Sequence, residues 1–487
     1  MRIPFSPFFF YVLGEAYRVV GFVLLGFSAL AAVWREPWGG FLGAAVVGLL
    51  GGYFLRAIGR PKAEPKRAEA LFTVAMLWFF VPLLGALPYW FGGYFGFVDA
   101  LFESMSGFTT TGATVLADFG RLSMSLFLWR SLTQWFGGVG IILLFIAVLP
   151  HLAIAGRQMF FAEATGVEKE PLTPKLRHTA EAVLRVYVLL TLGAMVGYLI
   201  GGMGLYDALV HALTTIPAGG FSPKPDSFSS FSPLAQWMAV VFMFLAGANF
   251  LLQFRLYFLR QPGPLLRDPE FRAYTGVFVF ASLVLAGYLV AHHDFGIETS
   301  LRHAFFQVVS ILTTTGYASD DFARWTVPAQ AILIALMFIG GSAGSGAGGI
   351  KVVRWRVMIA HLLRELKRTL HPKAVLPLRL GSRPVGEDVL RQVSAFVALY
   401  VVTFAAGALV VALLERDLVV AFTASAATLG NIGPGLGPVG PMASFGWMHP
   451  FTKLVLTFEM WAGRIELIPV FLLFFRELWR GVVQAGR

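Results

Sequence analysis

The chain of 487 residues contains no cysteine, which excludes disulfide staples, thiolate metal sites and cysteine nucleophiles. Charge is scarce too: Asp, Glu, Lys and Arg make up 13% of the residues, against 57% that are hydrophobic. A soluble globular domain carries ~25% charged residues, so an ordinary water-exposed surface is excluded. His-Glu-x-x-His, a nucleophile elbow and paired carboxylates in a plausible site are all missing, and the nine histidines are scattered. Enzyme chemistry therefore has no anchor in this chain. What it does have is a series of apolar stretches of about twenty residues, long enough to cross a hydrocarbon core of ~30 Å. The chain reads as an all-α polytopic membrane protein. The apolar run at 22–32 has a composition a signal peptide could share, but with no soluble domain after it, it reads as a retained helix.

The formal net charge is +11, and its placement reports topology rather than nucleic acid. Of the 38 Lys and Arg residues, 27 fall in five patches, at 56–67, 157–185, 255–272, 351–391 and 476–487. These lie at alternate ends of the apolar segments, while the opposite connections, such as 292–300 and 318–321, carry acids or few charges. By the positive-inside rule both termini are then cytoplasmic, in a cytoplasmic (inner) membrane. Contact of the basic patches with anionic membrane lipid is a secondary expectation.

Two apolar segments come first, at 10–33 and 38–58, and four units of one grammar follow. Each unit has a long apolar segment, a short loop segment and a second long apolar segment. The first long segments are 70–92, 179–201, 272–292 and 390–414; the second are 122–150, 233–258, 328–360 and 449–478. The expected organisation is an N-terminal two-helix extension (1–68), then pore repeats at 69–151, 152–260, 261–370 and 371–487. The short segments are Asp99–Gly112, Asp207–Gly220, His303–Gly316 and Asp417–Gly430, each reaching its glycine thirteen residues after a matched start. All four dip in from the same side, so the repeats are parallel and can surround one pore in the manner of a K⁺ channel, unlike inverted transporter repeats.

Each short segment reads as a half-length helix running into a turn of Thr, Ala and Gly. Non-helical backbone at membrane depth persists only where protein buries it or it lines a watery cavity. A filter of carbonyl oxygens that replace a cation's hydration shell meets that condition. The candidate filter residues are Thr110, Thr111 and Gly112; Ala218, Gly219 and Gly220; Thr314, Thr315 and Gly316; and Thr428, Leu429, Gly430 and Asn431. Threonines at 109–111 and 313–315 offer hydroxyls beside the carbonyls. Asp99, Asp207 and Asp417 are expected to cap the short helices, whose carbonyl ends then point at the ion. Glu103, His211 and Gln307 share one place in three of the segments, where packing or water-facing roles suffice.

A second irregularity is the run Gly340, Gly341, Ser342, Ala343, Gly344, Ser345, Gly346, Ala347, Gly348, Gly349. Glycine costs a helix interior ~1 kcal/mol relative to alanine, so the segment 328–360 is expected to break here. No Gly-Lys-Ser/Thr follows, which excludes a Walker-type phosphate loop. Arg464 lies midway along the last apolar segment, and an intramembrane charge marks function by default. Glu459 and Glu466 are about 140° and 200° from it around a helix, poor same-helix partners. Arg464 is therefore read as facing the pore. Arg130, early in another helix, is expected to anchor structure near the interface. No unpaired acid is read in the apolar segments.

The strings SMSGFTTTGAT (104–114), TTIPAGGFS (214–222), TTTGYAS (313–319) and ATLGNIGPGLG (427–437) resemble the filter regions of the Trk/Ktr/HKT potassium-transporter superfamily. The likeness extends to 129–142, to 340–351 and to Gly463–Glu466, covering essentially the whole chain, and the extra helix pair looks like the TrkH branch. It implies a filter glycine in each repeat, at Gly112, Gly220, Gly316 and Gly430, with K⁺ held at Thr111, Gly112, Gly220, Thr315, Gly316 and Gly430. It further implies that 340–349 is a gating loop beneath the filter and that Arg464 is an electrostatic barrier beside it. The function implied is potassium uptake; the alternative is an ion-coupled transporter of another small solute. A homodimer with one pore per subunit is implied, as is a cytosolic, TrkA-like nucleotide-binding ring docking at 351–391. K⁺ is the cargo, and no organic cofactor is implied. The fourth loop departs most from the pattern, with Asn431-Ile432 where threonine or aromatic residues stand elsewhere.

Overall fold

The computed structural model describes residues 6–62, 65–148, 172–293, 295–374, 376–380 and 383–485. The expected boundary near 151 and most of the basic patch 157–185 lie outside the described residues. Helices α1 (Pro7–Val33) and α2 (Gly39–Ile58) form an antiparallel pair. Ser6 starts α1 by accepting from Phe8 N at 3.1 Å. Glycines let the two backbones touch: a Cβ on Gly14 would lie 2.9 Å from the Gly52 carbonyl, and one on Gly48 3.1 Å from the Gly21 Cα. Small residues at such crossings are how membrane helices associate without a hydrophobic drive.

The first repeat is α3 (Arg67–Phe91), α4 (Phe97–Phe108) and α5 (Met124–Val148). The second is α6 (Leu172–Ile200), α7 (Leu205–Thr215), α8 (Pro233–Ala246) and α9 (Phe250–Tyr257). After α10 (Pro262–Arg267), the third is α11 (Pro269–His292), α12 (Ile297–Leu312), α13 (Val327–Met337) and α14 (Val352–Leu370). A two-residue antiparallel pair, β1 (Arg379–Leu380) with β2 (Arg383–Pro384), precedes the fourth repeat. That repeat is α15 (Glu387–Glu415), α16 (Leu418–Leu429) and α17 (Pro450–Arg464), followed by α18 (Ile468–Leu472) and α19 (Arg476–Ala485). Among the described residues six helices are long and apolar enough to span a membrane, or seven if α8 and α9 count as one span. The fold is that of an all-α polytopic membrane protein.

The short helices α4, α7, α12 and α16 have 12, 11, 16 and 12 residues, so at ~1.5 Å per residue none spans a bilayer. Their caps differ from expectation. Asp417 does cap α16, accepting from Val419 N and Val420 N at 2.9 and 3.0 Å. Asp99 and Asp207, however, are the third residues of α4 and α7, whose caps are Gly96 and Gly204. Asp99 instead accepts from Lys453 Nζ at 2.6 Å. His303 is the seventh residue of α12, which begins earlier, at Ile297.

The second long segments are less continuous than their hydropathy suggests. The expected break at 340–349 is present, between α13 and α14. The segment 233–258 also breaks, with α8 and α9 bent by 107°, because Asn249 turns its side chain back to cap Leu251 N and Leu252 N. The segment 449–478 breaks after Arg464, where Glu466 and Leu467 adopt φ of 63° and 62°.

Candidate functional site

The four short helices end in the same way. After the cap residue, Thr110, Ala218, Thr314 and Asn431 take left-handed φ values of 51°, 58°, 59° and 54°. Two residues later, Gly112, Gly220, Gly316 and Gly433 have φ of 85°, 77°, 82° and 105°. Between them, Thr111, Gly219, Thr315 and Ile432 donate their N–H back to Ser106, Thr214, Ser310 and Ala427 at 2.8–2.9 Å. The turns are buried except at Gly112, Gly220 and Gly316, which are half-buried.

These turns close into a ring. A Cβ built on Gly112 would fall on the Gly219 carbonyl oxygen, one on Gly220 on that of Thr315, and one on Gly316 on that of Ile432. A Cβ on Gly433 would lie 2.7 Å from the Thr111 oxygen, which completes the circuit. Only glycine fits, for conformation and for space alike.

The fourth turn corrects the sequence register. Gly430 caps α16 with φ −77°, an ordinary helical value, and Thr428 and Leu429 belong to the last turn of that helix. Asn431 corresponds to Thr110, and Gly433 rather than Gly430 corresponds to Gly112. The physical reason is the cap: Asp417 precedes its helix, whereas Asp99 and Asp207 lie three residues further along theirs. Equal counting from the aspartates therefore stops three residues short.

The threonine hydroxyls are largely spent within the turns. Thr109 and Thr313 donate to Met105 O and Val309 O at 2.6 and 2.7 Å, and pair with Thr111 and Thr315 at 2.8 Å. Asn431 Nδ2 donates to Thr111 Oγ1 at 2.9 Å, stitching the fourth turn to the first. The segments leaving the ring are held by the residues that share one place in three repeats. Glu103 accepts from Val115 N at 2.9 Å, His211 Nε2 pairs with Ser222 Oγ at 3.0 Å, and Gln307 Nε2 donates to Tyr317 O at 3.0 Å. Arg130 completes the first clamp, bonding Glu103 at 2.5 Å and Ser222 O at 3.1 Å. A cavity of 280 Å³ opens beyond the ring, lined by Gly112, Gly220, Gly316 and Gly433 together with Arg130 and Lys224.

The 340–349 run packs against the other side of the turns. Gly348 N donates to Thr314 Oγ1 at 2.7 Å, a Cβ on Gly348 would lie 2.7 Å from Gly430 O, and one on Gly346 2.8 Å from Ile216 O. The bend between α8 and α9 receives it: Ser342 N and Gly346 N donate to Gly247 O and Ala246 O at 2.9 and 3.1 Å, and Phe250 N donates to Gly344 O at 3.0 Å. Ala343 N donates to Glu270 at 2.7 Å, and Asn249 Nδ2 to Ala343 O at 2.9 Å. Gly340, Gly341, Ser345, Ala347 and Gly349 complete the loop, with Gly340 and Gly349 at φ 83° and 71°.

Arg464 is 4% exposed, and its Nη1 donates to Gly346 O at 3.0 Å, while Nε and Nη2 have no hydrogen-bond partner among the described residues. As expected, neither nearby acid pairs with it. Glu466 binds Lys351 and Arg354 at 3.2 and 2.7 Å. Glu459 accepts from Ser425 and Thr428 at 2.6 and 2.8 Å. That corrects the expectation that no acid lacks a cationic partner in the apolar segments: Glu459 is buried in α17 with two hydroxyls. Those hydroxyls come from α16, more than thirty residues earlier, and no local signal links them to Glu459.

The four turns thus form a ring of backbone with a cavity on one side and the 340–349 loop packed against the other. The family model for TrkH, described as a cation transport protein, matches residues 49–481. The chain belongs to the TrkH family. Among TrkH relatives, the Trk system potassium uptake protein TrkH of Salmonella typhimurium is 36% identical over 477 residues, covering 95% of this chain and 98% of that protein. The Trk system potassium uptake protein TrkI of Halomonas elongata is 36% identical over 410 residues, covering 83% and 82%. The crystal structure of the potassium transporter TrkH from Vibrio parahaemolyticus matches with a TM-score of 0.89 at 33% identity, covering 97% of this chain and 99% of that one.

Proposed function

We propose that this protein takes up potassium across the cytoplasmic membrane through the ring formed by the carbonyls of Thr111, Gly219, Thr315 and Ile432. The observation that carries the reading is the closed circuit of contacts from each ring glycine to the next repeat's carbonyl. Four short helices end at this ring and turn their carbonyl ends, each worth about half a negative charge, toward its centre. The names of the relatives, potassium uptake proteins, support potassium as the ion.

The 340–349 loop is the gate. It lies against the ring turns through Gly348 and Gly346, and Arg464 fixes it through the Gly346 carbonyl. A guanidinium beneath the ring opposes a cation, and displacing the loop with its arginine opens the path. Both termini are cytoplasmic, in keeping with the basic connections. A homodimer and a cytosolic nucleotide-binding ring are the proposed partners. In support, α14 leaves Ile359, Leu362, Leu363, Leu366 and Leu370 exposed.

Rb⁺ uptake into liposomes holding the purified protein, with K⁺ or Na⁺ as competitor, tests the reading. Block by K⁺ and weak block by Na⁺ is the expected result. Equal competition removes the selectivity, and absence of uptake even in Arg464→Ala removes the pore.

A further inference from the structure

The second long helix of each repeat starts behind a matched residue: Ser123, Ser232, Thr326 and His449. Ser123 and Ser232 set the frame, accepting from Leu126 N and Ala235 N respectively, and Thr326 and His449 are the N-caps of α13 and α17. Eleven residues on from these four stand Gln134, Met243, Met337 and Met460. All four side chains are buried. Three repeats thus carry a buried thioether at this place, and one carries an amide.

That amide is fully used. Gln134 Nε2 donates to Gly219 O at 2.7 Å, and its Oε1 accepts from Phe221 N at 3.1 Å, so the side chain brackets Gly220 from outside the ring. Gly219 O is a ring carbonyl. Among the described residues, no hydrogen-bond donor is found on the other three, Thr111 O, Thr315 O and Ile432 O.

We infer that Gln134 is a positioning residue that sets ion specificity, by holding one of the four ring carbonyls and drawing on its lone pairs. This rests on the ring being the filter. Selectivity among monovalent cations depends on the number and field strength of the coordinating carbonyls. A carbonyl that already accepts a hydrogen bond presents a weaker field to the ion, and the ring becomes three strong ligands and one moderated one. A lower total field favours the larger, more easily dehydrated ion. Freeing Gly219 O strengthens the field and loosens the turn, and both changes admit Na⁺.

The test is Gln134→Met, the residue the other repeats carry, in the liposome Rb⁺ assay with Na⁺ and K⁺ titrated separately. The Na⁺ concentration that halves uptake should fall by about threefold or more, while that for K⁺ stays within about twofold. Loss of packing alone would lower uptake without moving this ratio. Gln134→Glu, which keeps the acceptor for Phe221 N and loses the donor to Gly219 O, should shift the ratio in the same direction and decides the matter if Gln134→Met does not fold. A wild-type ratio in a folded variant overturns the inference. A wild-type protein whose uptake K⁺ does not block would instead overturn the filter reading beneath it.

Discussion

Gly433 and Gly430 differ in what a methyl group would meet. At Gly433 a Cβ faces the Thr111 oxygen at 2.7 Å with φ at 105°, so alanine is both strained and blocked, a combination costing ~1–3 kcal/mol for the backbone alone. At Gly430 the backbone is helical, and a Cβ would meet Ala426 O, in the preceding turn of its own helix, at 2.9 Å and side-chain atoms of Ile432 at 3.0 and 3.3 Å, with no other repeat's carbonyl among them. Gly433→Ala should therefore abolish selective Rb⁺ uptake, and Gly430→Ala should retain most of it; the reverse order would restore the register counted from the aspartates. Arg464 acts at the same scale. A unit charge even ~4 Å from a permeating cation, at an effective dielectric of ~20, opposes it by roughly 4 kcal/mol. Arg464→Ala should raise Rb⁺ flux by about tenfold or more, at ~1.4 kcal/mol per decade, and unchanged flux would remove its barrier role. Arg130 and Glu103 are buried together. Removing one member leaves an uncompensated charge worth ~3–5 kcal/mol, so Arg130→Ala should lower the thermal unfolding temperature in detergent more than Arg130→Ala/Glu103→Gln does.

Among the elements, the short helices and the glycine-rich interruption were legible because their signals are local. A half-length apolar run ending in Thr and Gly is visible without knowing its neighbours, and so are six glycines in ten residues. The fourth turn was misread because a capping aspartate and a first-turn aspartate look alike in sequence, although they sit three residues apart in the helix. The breaks at 247–249 and 465–467 were missed for a different reason. Both lie inside runs that are apolar overall, and the partners that hold them are far along the chain: the 340–349 loop bonding the Asn249-capped bend in one case, and Lys351 and Arg354 holding Glu466 in the other. A Gly-Ala-Asn string inside a helical run was the one available clue to the first. Because the loop is held mainly by backbone bonds to α8, α9 and Thr314, shortening it should free the ring's inner side. Deleting 343–347 should increase Rb⁺ flux as Arg464→Ala does, and combining the two should add little; additive gains would mean two separate barriers.

At the scale of the whole molecule, four repeats supply one turn each to a ring, and their differences carry as much meaning as their likeness. Asn431 ties the fourth turn to the first, Gln134 holds the second, and the second, third and fourth repeats break their closing helix, while the first repeat's runs unbroken over the described residues 124–148. The absence of cysteine makes the topology directly measurable, since single introduced thiols report without background. A cysteine at exposed Asp118 should react with an impermeant maleimide from outside intact cells, and one at exposed Lys373 only after permeabilisation. The central claim is the composition of the ring, and anomalous scattering from crystals grown in Rb⁺ or Tl⁺ measures it most directly. A peak on the ring axis coordinated by the carbonyls of Thr111, Gly219, Thr315 and Ile432 is the predicted result. A peak coordinated by Leu429 or Gly430 in the fourth quarter, or no peak within the ring, would contradict it.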